Sequence, residues 1–115
     1  MQAETIYKIC TAEEWRAAEA KGRFEGSEVD LADGYIHFST AAQARETAAK
    51  HFAGREGLVL VAVDAGALGA ELKWEPSRGG DLFPHLYGPL QVSAARNVAP
   101  LPLEDGSHVF PAHMG

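Results

Sequence analysis

The chain has 115 residues, of which 46% are hydrophobic and 23% are charged. This composition is typical of a globular protein and excludes disordered and coiled-coil chains. The length fits a single domain spanning residues 1–115, with a core at about residues 5–103 and a loosely ordered tail at 104–115. The net charge of −6 argues against a basic face that binds duplex nucleic acid.

Cysteine content and apolar runs indicate the compartment. Cys10 is the single cysteine, so no intrachain disulfide is expected. The first ten residues lack the basic start and apolar run of a signal peptide, and no run reaches the roughly 18 apolar residues of a membrane span. We therefore expect a cytoplasmic protein that does not enter membranes. We also expect a monomer, because one domain accounts for the strong apolar runs and no heptad pattern remains.

The first half of the chain mixes strands and helices. TIYKIC predicts a strand, and the segment from Thr11 to Gly22 predicts a helix. Residues 23–33 have turn residues without a clear period and are interpreted as a loop with room for a short helical turn. GYIHFS predicts a second strand, and it leads directly into a helix from Thr40 to Gly54. Both helices begin with a threonine that is followed three positions later by Glu or Gln, the spacing of a capping box.

The second half is nearly all strand. GLVLVAVD is a continuous apolar run, typical of a central strand, although a buried helix has the same pattern. ELKWE predicts a fourth strand, SRGGDLFPH a loop and LYGPLQV a fifth strand. ARNVAPLPL predicts an edge strand interrupted by prolines. Two main helices with this many strands, and without regular alternation, favour the α+β class.

His37 is the first candidate for chemistry. Strand alternation places it with Tyr35 and Ser39, on the face opposite Ile36 and Phe38. A histidine next to a hydroxyl group, where a strand passes into a helix N-terminus, is well placed to meet an anion. The alternative is a structural histidine bonded to a backbone carbonyl, with Ser39 serving as a helix cap.

The stretch SRGGDLFPHLYG, Ser77 to Gly88, holds the second group of candidates. Its glycines would let the backbone approach a ligand, and the Arg78 guanidinium can bind a phosphate or carboxylate with two hydrogen bonds. His85 and Tyr87 alternate around a leucine and so share one face, where they could contact a ring or a hydroxyl group. The alternative is a plain turn whose apolar residues fill the core.

Other chemistries have weaker support. Glu75 could orient Arg78 or a ligand hydroxyl, but a surface carboxylate beside a core tryptophan is the simpler interpretation. No metal site is predicted, because the sequence has neither HExxH nor CxxC spacing. Nucleophilic catalysis is not favoured, because Cys10 ends an apolar strand and no serine lies in a GxSxG motif.

The segments IYKI, DGYIHFSTAAQ, TAAKHF, LVLVAVD and LKWEPSRGGDLFPHLYGPL resemble the Domain of unknown function 952 family. The resemblance runs from Ile6 to about Leu101, and WEPSRGGDLFPHLYG is its most specific part. Membership of that family implies no activity.

The order IYK, helix, YIHFST, helix, LVLVAVD, LKWE, LYGPL is also similar to the catalytic domain of the RNA 2′-phosphotransferases. This resemblance implies an ADP-ribosyltransferase-like split antiparallel β core with helices outside, and an NAD-like ligand between two half-sheets. His37 and Ser39 match the strand of the type YVHLS in those enzymes, and Tyr7 matches their first-strand tyrosine. Lys8, Ile9 and Cys10 replace a histidine, glycine and threonine, so the nicotinamide contacts differ. The acidic net charge argues against an RNA substrate.

The resulting hypothesis is an ADP-ribosyltransferase-like domain that binds an NAD- or ADP-ribose-type nucleotide. If the domain is catalytic, we expect ribosyl or 2′-phosphoryl transfer with His37, Arg78 and His85 as the catalytic residues. The expected nucleotide contacts are Tyr7, Lys8, His37, Ser39, Arg78, His85 and Tyr87. The alternative is a non-catalytic module that binds a peptide or protein through the surface of Ser77 to Gly88.

Overall fold

The computed structural model of the chain describes residues 4–77 and 80–114. Its helices are α1 (Ala12–Lys21), α2 (Glu28–Asp33) and α3 (Ala41–His51). The strands of the first half are β1 (Thr5–Thr11), β2 (Arg23–Phe24), β3 (Ile36–His37), β4 (Ser39–Thr40) and β5 (Leu58–Asp64). Those of the second half are β6 (Leu72–Ser77), β7 (Asp81–Leu86), β8 (Leu90–Gln91), β9 (Ala95–Pro100), β10 (Leu103–Glu104) and β11 (Ser107–His108).

Two antiparallel sheets form the body of the molecule. The larger has the strand order β4-β1-β5-β9, and the smaller has the order β3-β7-β6. Two short ladders, β2-β8 and β10-β11, complete the pairing. The fold is α+β with antiparallel sheets, as the sequence predicts. A third helix, α2, occupies part of the segment 23–33 that is interpreted as a loop from the sequence. Among the described residues, no helix is long and apolar enough to cross a bilayer.

The two longer helices form where their capping boxes predict. Thr11 accepts a hydrogen bond from the backbone of Glu14, whose carboxylate accepts one from the Thr11 backbone. Thr40 and Gln43 repeat this exchange at the start of α3. Gly22 ends α1 in the left-handed conformation, with φ of 87°. Helix α3 ends at His51 with Phe52 as its C-cap, before the predicted Gly54.

The larger sheet is buried on both faces. Ile6 and Val61 belong to a core cluster on one face, where Trp15 of α1 packs. Tyr7 and Leu60 belong to a second cluster on the other face, where Ala48 of α3 packs. Because side chains alternate along β1 and β5, each strand supplies both clusters. The continuous apolar run LVLVAVD is therefore the central strand that the sequence predicts.

The predicted loop SRGGDLFPH is wrong over residues 81–85, which belong to strand β7. Proline is unfavourable inside a strand, because it cannot donate a ladder hydrogen bond. The neighbouring strand β3 ends at His37, opposite His85, and the Pro84 carbonyl accepts from the Phe38 backbone. Pro84 therefore keeps a hydrogen bond to this neighbour through its carbonyl, and β3 pairs no further along β7. The predicted strand LYGPLQV is divided: its first residue, Leu86, ends β7, and only Leu90–Gln91 forms the separate short strand β8.

The predicted strand GYIHFS is divided at Phe38. Its first part is β3 in the smaller sheet, and its second part is β4 in the larger sheet. His37 and Ser39 therefore lie on different sheets, although only one residue separates them. In the tail, where the sequence suggests loose order, residues 103–108 form the β10-β11 hairpin.

Candidate functional site

A cleft of about 740 Å³ is lined by side chains from both large sheets. Tyr7 and Lys8 of β1 and Ser39 of β4 come from the larger sheet, whereas His37 of β3 and His85 of β7 come from the smaller one. The volume lies in the range of about 300–1,000 Å³ that is usual for small-molecule sites. The division of GYIHFS between two sheets is what brings residues of both to one cleft.

Of the seven expected nucleotide contacts, six are among the described residues, and five of these six line the cleft. The five are Tyr7, Lys8, His37, Ser39 and His85. Tyr87 lies next to it: its ring centre is 5.2 Å from that of Tyr35, which does line the cleft. Arg78 lies outside the residues that the structure describes.

A buried carboxylate, Asp30 of α2, is the centre of the polar contacts. Its Oδ2 is 2.7 Å from Lys8 Nζ and accepts hydrogen bonds from the Ser27 backbone at 2.9 Å and the Ser27 hydroxyl at 3.1 Å. Its Oδ1 accepts from the His37 backbone at 3.1 Å and lies 2.6 Å from His37 Nδ1. Asp30 is 1% exposed and Lys8 is 4% exposed. The contacts compensate the cost of burying both charges.

The charge of Asp30 is held by its surroundings. Burial acts to raise the pKa of Asp30, but the hydrogen bond from His37 and the charge of Lys8 outweigh burial and hold its pKa well below the usual range. Gly26 makes room for the carboxylate: a Cβ there would lie 2.8 Å from Asp30 Cβ, and the φ of 119° also favours glycine. Asp30 is therefore ionised at neutral pH, where its Oδ2 faces Lys8 Nζ.

His37 lies between two carboxylates. Its Nδ1 contacts Asp30, and its Nε2 is 2.9 Å from Oδ2 of Asp33. A carboxylate can only accept, and a neutral imidazole has a single N–H, so only the imidazolium can donate to both partners. Both ring nitrogens are thus engaged within the protein. This arrangement is suited to holding β3 against α2 and leaves His37 no nitrogen for a ligand without displacing Asp33.

Four rings form an aromatic wall, which we define as Tyr35, His37, His85 and Tyr87. Tyr35 stacks on His85 with 4.2 Å between ring centres and an interplanar angle of 29°. The His37 ring centre is 4.6 Å from that of Tyr35 and 5.5 Å from that of His85. Burial, then the charges of Asp33 and Glu75, raise the pKa of Tyr35, so its phenol remains a hydrogen-bond donor. Rings at these separations can extend a stack to a planar ligand.

Glu75 of β6 binds the outer end of this wall. Its Oε1 is 2.7 Å from His85 Nδ1 and accepts a hydrogen bond from the Tyr87 hydroxyl at 2.8 Å. The hydrogen bond from His85, followed by that from Tyr87, lowers the pKa of Glu75. The bond to Glu75 raises the pKa of Tyr87. The carboxylate is therefore ionised at neutral pH and fixes two predicted site residues at once.

Arg55, Cys10 and the possible metal ligands are further candidates for functional groups. Arg55 lines it, with its guanidinium 5.5 Å from the Phe52 ring centre, and forms no ion pair with any described residue. Burial raises the pKa of the Cys10 thiol to about 12, so Cys10 is not a nucleophile at neutral pH. Among residues 4–77 and 80–114, no group of three or more His, Cys, Asp or Glu side chains could hold a metal ion.

The family described as protein of unknown function (DUF952) matches residues 9–98 of the sequence. The chain belongs to this family. The match includes His37, Glu75, His85 and the whole stretch from Ser77 to Gly88, and excludes the tail.

Solved structures similar to this DUF952 chain come from Caulobacter crescentus. The X-ray crystal structure of protein CC0527 is 58% identical, with 96% of this chain and 97% of that chain covered and a TM-score of 0.92. The solution NMR structure of CC0527 is 59% identical over 90% of each chain, with a TM-score of 0.81. No curated protein matches the sequence. The comparisons give the family and the fold, and they carry no activity.

Asp30, Asp33 and Glu75 are the site residues that sequence reasoning missed or gave little weight. Two local signals pointed to Asp30. Ser27 precedes it at capping-box spacing, and Lys8 lies in an otherwise apolar strand, where a buried cation needs a partner. No local signal assigns Asp33 to His37, because α2 itself was not predicted as a helix.

Asp30→Asn should lower the free energy of unfolding by about 3–5 kcal/mol, because it leaves the buried Lys8 ammonium without its counter-ion. Urea unfolding at neutral pH measures the change. Glu25→Gln is the matched control, because Glu25 pairs with Lys21 and Arg23 on the surface, where solvent screens the interaction. Equal effects of the two substitutions would contradict the assigned role of Asp30.

The stability gained from Asp30 should be lost in acid. The ordinary pKa of this carboxyl, 3.8, is lowered in the folded state, so the unfolded chain takes up the proton first as the pH falls. The contribution of Asp30 is therefore complete above about pH 5 and declines as the pH falls through about 4. Urea unfolding of the wild type and Asp30→Asn at several pH values should give a stability difference that narrows in acid. A difference that stays constant down to about pH 3 would oppose this account.

Proposed function

We propose that the chain is an ADP-ribosyltransferase-like domain that binds an NAD- or ADP-ribose-type nucleotide in the cleft between its two large sheets. The observation that carries the proposal is the joint lining of this cleft: the larger sheet supplies Tyr7, Lys8 and Ser39, and the smaller supplies His37 and His85. A cleft between two half-sheets is the position that the resemblance to the RNA 2′-phosphotransferases implies for the nucleotide.

The aromatic wall supports recognition of a planar ring. Tyr35 is only partly buried and already stacks on His85, so its exposed area can receive an adenine or nicotinamide ring. Stacking on an aromatic side chain contributes about 1–3 kcal/mol per base. Asp33 at the cleft supplies an acceptor for an exocyclic amino group.

The charges of the cleft restrict which cations can hold a pyrophosphate. Lys8 Nζ contacts Asp30, and the two ring nitrogens of His37 contact Asp30 and Asp33, so both side chains already have carboxylate partners within the protein. Arg55 has no carboxylate partner among the described residues and lines the same cleft. We therefore assign phosphate binding to Arg55, together with Arg78 as expected from the sequence. On this proposal the domain acts in the cytoplasm as a monomer.

A second candidate function is a module that binds a peptide or protein through the stretch Ser77 to Gly88. Leu82 and Tyr87 of this stretch are 52% and 43% exposed, and Trp74 of the adjoining strand β6 is also exposed. Exposed apolar and aromatic side chains of this kind are typical of interaction surfaces. The two candidates differ in whether nucleotides bind in the cleft.

NMR titration with NAD, ADP-ribose and AMP tests the proposal. We expect shifts at Tyr35, His37 and His85, and a loss of about 1–3 kcal/mol of binding free energy in Tyr35→Ala because the stacking surface is removed. Tyr35→Phe keeps the ring and is the matched control, with affinity close to that of the wild type. If none of the three nucleotides shifts these resonances, the cleft is not a nucleotide site and the binding module is favoured.

A further inference from the structure

The two histidines of the cleft differ in which ring nitrogen is left for a ligand. His37 uses both nitrogens, one towards Asp30 and one towards Asp33. Within the described residues, the His85 ring has one hydrogen-bond partner, Glu75, which lies 2.7 Å from Nδ1. His85 lines the cleft, so Nε2 is its nitrogen left for chemistry there.

We propose that Glu75 is a positioning residue that holds the proton of His85 on Nδ1, so that Nε2 accepts the proton of a ligand hydroxyl group in the cleft. The ligand class, a ribose-type alcohol, rests on the proposed function. The assignment of Glu75 and of the two nitrogens rests on the geometry of the side chains alone.

Glu75 has the geometry that this role requires. An ionised carboxylate can only accept, so its bond to His85 fixes the ring proton on Nδ1. The same oxygen, Oε1, accepts from the Tyr87 hydroxyl at 2.8 Å, and this second bond restrains the Glu75 side chain. Register supports the pairing: β6 lies antiparallel to β7, with Lys73 opposite His85 and Glu75 opposite Phe83. Glu75 is therefore the diagonal neighbour of His85 on one face of the sheet.

The His85 ring is also fixed in orientation. It is 4% exposed and is stacked on Tyr35, with 4.2 Å between the ring centres. His37 meets its edge at an interplanar angle of 70°. The two ring contacts and the hydrogen bond to Glu75 restrain the orientation of the His85 ring. The ring therefore does not have to reorient when a ligand hydroxyl group binds near Nε2.

The proton transfer is balanced within these groups. The O–H bond of the ligand hydroxyl breaks, its electron pair stays on oxygen, and the proton bonds to Nε2. The ring then becomes an imidazolium with protons on both nitrogens, and the Glu75 carboxylate at Nδ1 balances its charge. The oxygen gains nucleophilic character in the same step. His37 cannot do this while Asp33 occupies its Nε2.

The protonation of each ring nitrogen can be measured directly by nitrogen-15 NMR of the histidine side chains. In the neutral wild-type ring of His85 we expect a protonated, pyrrole-like Nδ1 and an unprotonated, pyridine-like Nε2. Glu75→Ala removes the acceptor, and we expect this preference for the Nδ1–H form to be lost. Glu75→Gln retains an oxygen acceptor and should rescue it. Glu46→Ala, which removes an exposed carboxylate paired with Lys50, is the control and should leave His85 unchanged.

Addition of ADP-ribose then separates this inference from the proposed function. A shift of the His85 Nε2 resonance in the wild type, reduced in Glu75→Ala, supports the inference. Binding of ADP-ribose that leaves Nε2 unchanged overturns the proton-acceptor role but not nucleotide binding. A wild-type ring that carries its proton on Nε2, or that keeps its Nδ1–H form in Glu75→Ala, overturns the positioning role. Absence of binding by NAD, ADP-ribose and AMP, together with the expected Nδ1–H form, overturns the proposed function and supports the positioning role.

Discussion

The carboxylate of Asp30 joins parts of the chain that the sheets leave separate. One oxygen binds Lys8 of the larger sheet, and the other binds His37 of the smaller sheet. Ser27 also donates to this carboxylate, through its backbone N–H and its hydroxyl group. A buried ion pair contributes little stability compared with apolar residues of the same volume, but removal of one partner is costly. We interpret this network as fixing how the two sheets meet, which is what shapes the cleft.

The cleft follows from this arrangement. The chain passes from β3 to β4 through Phe38 alone, so the two sheets must approach each other at this residue. Phe38 is buried in the core beside Ile36, and Asp30 anchors His37 on the opposite side. The aromatic wall is thereby held at the cleft by contacts made inside the protein. Charged groups that the sequence suggests for a ligand are partly used for this internal purpose.

Local signals predicted much of the fold because they act within a few residues. The capping boxes at Thr11 and Thr40 and the apolar run of β5 needed no tertiary information. Strand β7 was missed because tolerance of Pro84 depends on how far the neighbouring strand extends. The split of GYIHFS was missed for a similar reason: the alternation of side chains is the same whether one sheet or two receive them.

The sequence suggested which residues line the cleft, but not which carboxylates contact them. Alternation grouped His37 with Tyr35 and Ser39, and His85 with Tyr87. The Tyr35 and His37 rings are in contact, and His85 and Tyr87 both bond Glu75, but Ser39 lies in the other sheet. Which carboxylate holds each histidine depends on α2 and on the register of β6 against β7. Neither is visible in a short window of sequence.

The coupling between Lys8 and Asp30 tests the central claim most directly. A double-mutant cycle with Lys8→Met, Asp30→Asn and the combined variant, followed by urea unfolding, measures it. We predict that the combined variant loses less free energy of unfolding than the sum of the losses in the two single variants, by about 0.5–3 kcal/mol. The reason is that each single change leaves the other group buried without its partner. Additive losses would mean that the two side chains stabilise the fold independently and that the buried carboxylate does not join the sheets.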